Sequence, residues 1–165
     1  MARTLTACRR LLAIMGGGFL GAITRYLLSL LVQSHLGKAW PYDILLINIT
    51  GALVLAFITT LADATFLIGP TRRLFINVGF LGAYTTFSSL ALGSILLFAA
   101  GNWLPALLYL FLSLIGGVLA VLVGDWLGQQ VVGWGRRKPP RVAIEEQRAA
   151  KMSGEESFPA AQDAN

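Results

Sequence analysis

Four long apolar stretches, separated by short polar segments, occupy most of the chain. They run over about residues 11–32, 42–61, 74–100 and 105–132. A helix crosses the roughly 30 Å hydrocarbon core of a bilayer with about 20 apolar residues, and each stretch reaches that length. The pattern therefore predicts an all-α membrane protein with four transmembrane helices, contained in a transmembrane domain over residues 1–135.

Residues 136–165 have a different composition. They begin with basic residues and prolines and continue into a stretch rich in Glu, Ala and Gln, with few large apolar side chains. Such a segment buries too little apolar surface to offset the entropy lost on ordering. We expect a disordered, charged tail on the cytoplasmic side.

The overall composition also indicates a lipid environment. Hydrophobic residues make up 56% of the chain and charged residues 13%, against about 25% charged residues in soluble domains. The net charge of +5 does not indicate nucleic-acid binding, because no soluble basic domain is present to carry it.

The basic residues instead predict topology. Four spans place both termini and the loop between spans two and three on one side. Nine basic residues of that side lie within about ten residues of a span, the distance over which they bear on orientation: Arg3, Arg9, Arg10, Arg72, Arg73, Arg136, Arg137, Lys138 and Arg141. The loops on the other side carry Lys38 and the titratable His35. Since cytoplasmic loops are enriched in Lys and Arg, we expect a multi-pass plasma (inner) membrane protein with both termini in the cytoplasm.

The third stretch contains an unusual polar run. Residues 79–89 read GFLGAYTTFSS, in which four hydroxyl residues fall within five positions. Irregular backbone occurs at membrane depth where it lines a cavity or binds an ion, so the run predicts that the third helix is broken near its centre. The alternative is an unbroken helix whose hydroxyls bond back to its own carbonyls.

Small residues recur at a spacing of four in two spans. They are Gly17 and Gly21 in the first span, and Gly116, Ala120 and Gly124 in the fourth. This spacing allows helix backbones to approach closely in lipid. It predicts tight helix packing, within a compact bundle or an oligomer.

Several polar side chains lie inside the spans. The amide of Asn48 makes either an interhelical hydrogen bond or a functional contact, since an unpaired amide in lipid is costly. Tyr109 and Ser113, four residues apart, place two hydroxyls on one helix face. Arg25 either extends its guanidinium to the interface or attracts anions to a vestibule.

The types of polar side chain inside the spans exclude several classes of function. No glutamate lies in any span, no histidine lies inside a predicted span, and Asp43 and Asp125 fall near span ends. A proton-coupled transporter normally has an intramembrane carboxylate or histidine. The chain also has no nucleotide-binding loop or nucleophile with a partnered base, so no enzyme activity is expected. Neutral hydrogen-bond donors suit a small anion.

Several segments resemble a known family. Residues 16–26 (GGGFLGAITRY), 46–51 (LINITG) and 79–89 are similar to motifs of the Fluc (CrcB-type) fluoride channels, the last to Gly-Phe-x-Gly-Gly-x-Thr-Thr-Phe-Ser-Thr-Phe. Tyr109 and Ser113 fall where the family carries a tyrosine and a serine. The resemblance covers about residues 10–132 and implies a fluoride-selective channel subunit that exports F⁻ passively.

The resemblance also implies specific sites. It implies an antiparallel dimer with two pores and a structural Na⁺ at the dimer interface, bound by the backbone carbonyls of Gly82 and Thr85. Arg25 would lie near the vestibule. The implied fluoride pathway consists of Asn48, Thr86, Phe87, Tyr109 and Ser113.

Two departures from the family pattern bear on assembly. Ala83 replaces a glycine, and Leu90 replaces a phenylalanine, so one aromatic edge is missing. Together with the one-sided basic residues, Leu90 favours a heterodimer with a second, oppositely oriented Fluc-like chain over a homodimer. The alternatives are a non-conducting subunit and a small multidrug-resistance-type exchanger, which needs a glutamate that the first span lacks.

Overall fold

The computed structural model describes residues 2–64 and 68–136. The elements in chain order are α1 (Ala2–Leu36), α2 (Tyr42–Ala64), α3 (Pro70–Arg73), a π-helical segment (Leu74–Leu81), α4 (Gly82–Tyr84), α5 (Phe87–Ala99) and α6 (Trp103–Arg136). The contacts discussed below lie within residues 2–132, one of two units of the chain; the second unit is described only to Arg136.

Four helical stretches are long and apolar enough to cross a membrane, which confirms the predicted fold class. They are Ala7–Leu36, Tyr42–Ala64, Pro70–Ala99 and Trp103–Trp134. The first extends beyond the predicted 11–32 at both ends, because helix continues into flanks that contain Arg9, Arg10 and Gln33, residue types of high helix propensity. The third begins earlier than predicted and ends at Ala99. Apart from Arg136, the predicted tail lies outside the described residues.

The third span is broken, as predicted, and the unbroken-helix alternative is wrong. Thr85 (φ −77°, ψ 154°) and Thr86 (φ −150°, ψ 116°) are extended between α4 and α5. The segment before the break is π-helical from Leu74 to Leu81, a conformation that is rare and often found at functional sites.

The π-helical segment packs backbone to backbone on α1. A Cβ atom added to Gly17 would lie 2.2 Å from the Phe75 carbonyl oxygen, and one added to Gly21 would lie 2.2 Å from that of Phe80. From the other side, a Cβ on Gly79 would lie 2.6 Å from the Ile14 carbonyl oxygen. No residue larger than glycine fits these positions, which confirms the predicted close packing.

A second glycine contact joins α6 to α2. A Cβ atom on Gly124 would lie 2.2 Å from the Leu53 carbonyl oxygen, and one on Gly116 would lie 2.7 Å from Ile49 Cδ1. Ala120, between them, is buried. The second helix is therefore packed closely against α6.

Polar side chains add links between helices. Asp43 at the start of α2 accepts hydrogen bonds from Ser29 and Gln33 of α1. Further links are Thr50 to Tyr84 (2.9 Å), Thr60 to Asp125 (2.7 Å) and Asn77 to Thr59 (3.1 Å). Each of these pairs joins α2 to a neighbouring element.

Candidate functional site at the helix break

Asn48 binds the broken backbone at two points. Its Nδ2 donates to the Thr86 carbonyl oxygen at 3.0 Å, and its Oδ1 accepts from the Thr86 N–H at 2.8 Å. The amide thereby replaces the helical partners that Thr86 loses at the break. Of the two alternatives for Asn48, the interhelical hydrogen bond is present. It uses one of the two amide N–H groups, which leaves the other for a ligand.

Thr86 also begins the next helix. Its Oγ1 accepts a hydrogen bond from the Ser89 N–H at 3.2 Å, which is the side-chain cap of α5. The same hydroxyl oxygen lies 3.1 Å from both Ser88 Oγ and Ser89 Oγ. The run of hydroxyl residues thus supplies hydrogen-bond partners within the break, as expected where lipid provides none.

These bonds change the surroundings of two backbone carbonyls. In an unbroken helix the carbonyls of Gly82 and Thr85 would accept from the N–H groups of Thr86 and Ser89. Those N–H groups donate instead to Asn48 Oδ1 and Thr86 Oγ1. The Gly82 and Thr85 carbonyl oxygens, which the family resemblance implies as Na⁺ ligands, are therefore released from their helical donors. Backbone carbonyl oxygens of this kind fit a hard cation.

A cavity of about 340 Å³ lies beside the break. Its lining residues come from α2, the break, α5 and α6: Asn48, Ala52, Leu55, Thr85, Thr86, Phe87, Leu90 and Ser113. None of these side chains is ionisable. Phe87, the first residue of α5, is 81% exposed. Four of the sequence-predicted pathway residues, Asn48, Thr86, Phe87 and Ser113, thus come together.

A larger apolar cavity of about 630 Å³ shares part of this lining. Ala52, Phe87, Leu90 and Ser113 border both cavities, and the larger one continues along α6 to Leu122. Ser113 Oγ is buried and has no hydrogen-bond partner in the described part of the chain. Its hydroxyl, unpaired among the described residues, therefore lies where the two cavities meet.

Tyr109 and Arg25 lie apart from the other predicted residues. Tyr109 is fully buried, its ring in edge-to-face contact with Trp40 at 5.4 Å between centroids. Its hydroxyl has no partner among the described residues. Arg25 is partly exposed on α1. Neither residue lines the two cavities.

Asn77 is a polar residue that the sequence analysis missed. It lies in the π-helical segment and donates from Nδ2 to Thr59 Oγ1, while its Oδ1 is buried with no partner in the described residues. The sequence alone could have identified Asn77, because an amide side chain within an apolar span is as unusual at this position as at Asn48. Both amides connect α2 with the third span.

Known proteins resemble this chain over most of its membrane-spanning part. The model of the family described as CrcB-like protein, Camphor Resistance (CrcB), matches residues 12–125. A fluoride-specific ion channel FluC of Chloroflexus aurantiacus is 39% identical over 119 residues, covering 72% of this chain and 94% of the relative. The corresponding protein of Trichormus variabilis is 43% identical over 122 residues, covering 73% and 89%.

Replacing Asn48 tests the two-point contact. In Asn48→Ala the N–H and carbonyl of Thr86, a buried residue, lose their side-chain partners. We expect the free energy of unfolding in detergent to fall by about 2–4 kcal/mol, since each unpaired buried group costs about 1–3 kcal/mol. Ser113→Ala is the matched control, because that hydroxyl has no protein partner to lose, and its stability should be unchanged or slightly higher. Equal stability of Asn48→Ala and the wild type would contradict the structural role.

Proposed function

The chain belongs to the CrcB-like family, and from this premise we propose that it is a subunit of a fluoride-specific ion channel. Fluoride leaves the cytoplasm through it passively, without catalysis. The strongest support is the overlap between family and site: the matched residues 12–125 include the break, the Asn48 contact and every residue that lines the two cavities.

The smaller cavity has the chemistry that a small anion needs. The remaining N–H of Asn48 and the hydroxyl of Ser113 are neutral donors, and the edge of the Phe87 ring carries positive partial charge. A fixed cation in the lining would bind fluoride tightly and slow its release, whereas conduction needs weak binding at several sites. The lining has no ionisable side chain, which favours conduction.

The pathway extends from this cavity along α6. Tyr109 lies four residues before Ser113, and its buried hydroxyl, unpaired in the described part of the chain, supplies the next donor. Thr86 contributes to the lining beside Asn48. Arg25 lies near the aqueous vestibule and raises the local concentration of anions there.

Na⁺ is the proposed structural cation at the break. Gly82 and Thr85 would hold it through their backbone carbonyls, whose helical donors are bonded elsewhere. A bound cation would compensate the carbonyl dipoles that converge on the break. Within the described residues, Asn48 and Thr86 keep these carbonyls free.

The channel is an antiparallel dimer. Phe87 is 81% exposed beside the cavity, and many other large apolar side chains are exposed on α5 and α6. One chain therefore leaves the pathway residues open on one side, and a second subunit completes it. Because nine basic residues mark one side of the membrane, one orientation is strongly favoured, and the partner is a second Fluc-like chain of opposite orientation.

The second candidate function, a non-conducting subunit of such a heterodimer, is favoured by Leu90. This residue lines both cavities at the position where the family carries a phenylalanine. An isobutyl group has no ring quadrupole and offers no positive edge to an anion. The variant Leu90→Phe restores the ring and separates the two functions. If fluoride flux appears in this variant and is absent from the wild-type chain, the wild-type chain is a non-conducting subunit.

Truncation of Phe87 tests the pathway. We expect Phe87→Ala to slow fluoride efflux from liposomes that contain the competent assembly at least about tenfold, because a loss of about 1.4 kcal/mol of stabilisation lowers a rate tenfold. A fluoride electrode measures the efflux. Phe19→Ala is the control, since Phe19 is 68% exposed on α1 and lines neither cavity. Wild-type efflux from Phe87→Ala would remove Phe87 from the pathway.

Cation exchange tests the Na⁺ site. Replacing all Na⁺ with a large organic cation should lower the melting temperature of the purified dimer and reduce fluoride flux, because the carbonyls at the break lose their ligand. The melting temperature is the primary measurement, since it does not depend on conduction. If both melting temperature and flux are the same in the two salts, no Na⁺ is bound there.

Topology mapping tests the dimer partner. A C-terminal reporter should be found on the cytoplasmic side in nearly all molecules, as the basic residues predict. This chain alone should then give little fluoride flux until a Fluc-like chain of opposite orientation is co-expressed. Two equal orientations, together with full flux from this chain alone, would show a homodimer.

A further inference from the structure

Arginines are concentrated where α1 and α3 meet, at one end of the bundle. Arg9 and Arg10 lie on α1, and Arg72 and Arg73 on α3. Arg73 is neutralised by Asp63, with Nη1 and Oδ1 2.5 Å apart. Arg9, Arg10 and Arg72 are exposed, and no acidic side chain in the described part of the chain pairs with them. Three positive charges therefore remain available at this end.

One of the three guanidinium groups is held in place. Nη2 of Arg9 donates to Thr71 Oγ1 at 3.0 Å, which connects α1 with α3. A guanidinium carries five N–H donors in a planar fork, so this bond leaves most of them free. Arg72 follows Thr71 directly in the chain. Arg72 therefore lies one residue from the point where α1 and α3 are joined.

Apolar surface begins immediately beside these charges. On α1, Leu11, Leu12 and Met15 follow within two turns of Arg9 and are 59%, 68% and 67% exposed. A ligand that fits both features has an anionic head and an apolar tail. These residues belong to the first membrane span, Ala7–Leu36. Lipid therefore supplies both an anionic headgroup and acyl chains at this place, which neither a free anion nor a nucleic acid does.

We propose that this surface, formed by Arg9, Arg10 and Arg72 with the exposed face of α1 next to them, binds an anionic phospholipid. The phosphodiester accepts hydrogen bonds from Arg9 and Arg72, a pairing that arginine makes with favourable geometry. The acyl chains lie along Leu12 and Met15. Basic sites between transmembrane helices are suited to such headgroups. The site lies outside the fluoride cavities and does not depend on the proposed function.

Lipid titration of the purified full-length chain tests this proposal. Phosphatidylglycerol is added in detergent, with phosphatidylcholine of the same acyl chains as the neutral comparison, and bound lipid is counted by native mass spectrometry. We expect selective binding of phosphatidylglycerol and a rise in melting temperature. Arg9→Gln with Arg72→Gln should weaken the binding about 30-fold, the usual effect of removing two interfacial charges.

The controls distinguish lipid binding by the arginines of this site from attraction of lipid by the overall positive charge of the chain. Lys38→Gln, which removes an exposed cation at the other end of the bundle, should bind phosphatidylglycerol as the wild type does. Arg72→Gln alone removes no side-chain hydrogen bond to the described residues and should weaken binding about fivefold without unfolding. Equal binding of both lipids, undiminished binding by the variants, or an equal rise in melting temperature with inorganic phosphate would each overturn the proposal.

Discussion

A backbone interrupted inside a membrane must find its hydrogen-bond partners within the protein. Thr86 finds them in the amide of Asn48, which accepts from its N–H and donates to its carbonyl. In water such a pair contributes little, because solvent would replace it. In lipid no solvent is present, so the break exists only while Asn48 occupies this position on α2.

Glycine contacts hold the two sides of that bond at the required distance. The π-helical segment before the break lies on the backbone of α1 at Gly17 and Gly21, and α6 lies on α2 at Gly124. At each contact the space for a Cβ atom is filled by a carbonyl oxygen. Interiors are close-packed and deform little, so α2, the break and α6 keep a fixed geometry around the cavity.

The cavity that results is polar without being charged. Asn48 and Ser113 offer donors, Phe87 offers a ring edge, and the ionisable groups lie elsewhere: Asp43 is bound by Ser29 and Gln33 of α1, and Asp125 by Thr60. An anion that passes this point meets no opposite charge that would hold it. A lining without a cationic group favours the weak binding that conduction requires.

The sequence by itself determined the four spans, the place of the break and the glycine packing. Each of these follows from composition over a short stretch: about 20 apolar residues cross a bilayer, and the hydroxyl run at residues 79–89 supplies the hydrogen-bond partners that a break needs.

Only the tertiary structure decided which groups meet. Asn48 and Thr86 are 38 residues apart, and no local pattern selects that partner over another. The same pairing takes the N–H that the Gly82 carbonyl would use, and the Thr86 side-chain cap takes the Ser89 N–H that the Thr85 carbonyl would use. It was also packing that buried Tyr109 against Trp40 and left Asn77 Oδ1 without a described partner. Long-range contacts depend on how helices are juxtaposed, which a single apolar span does not specify.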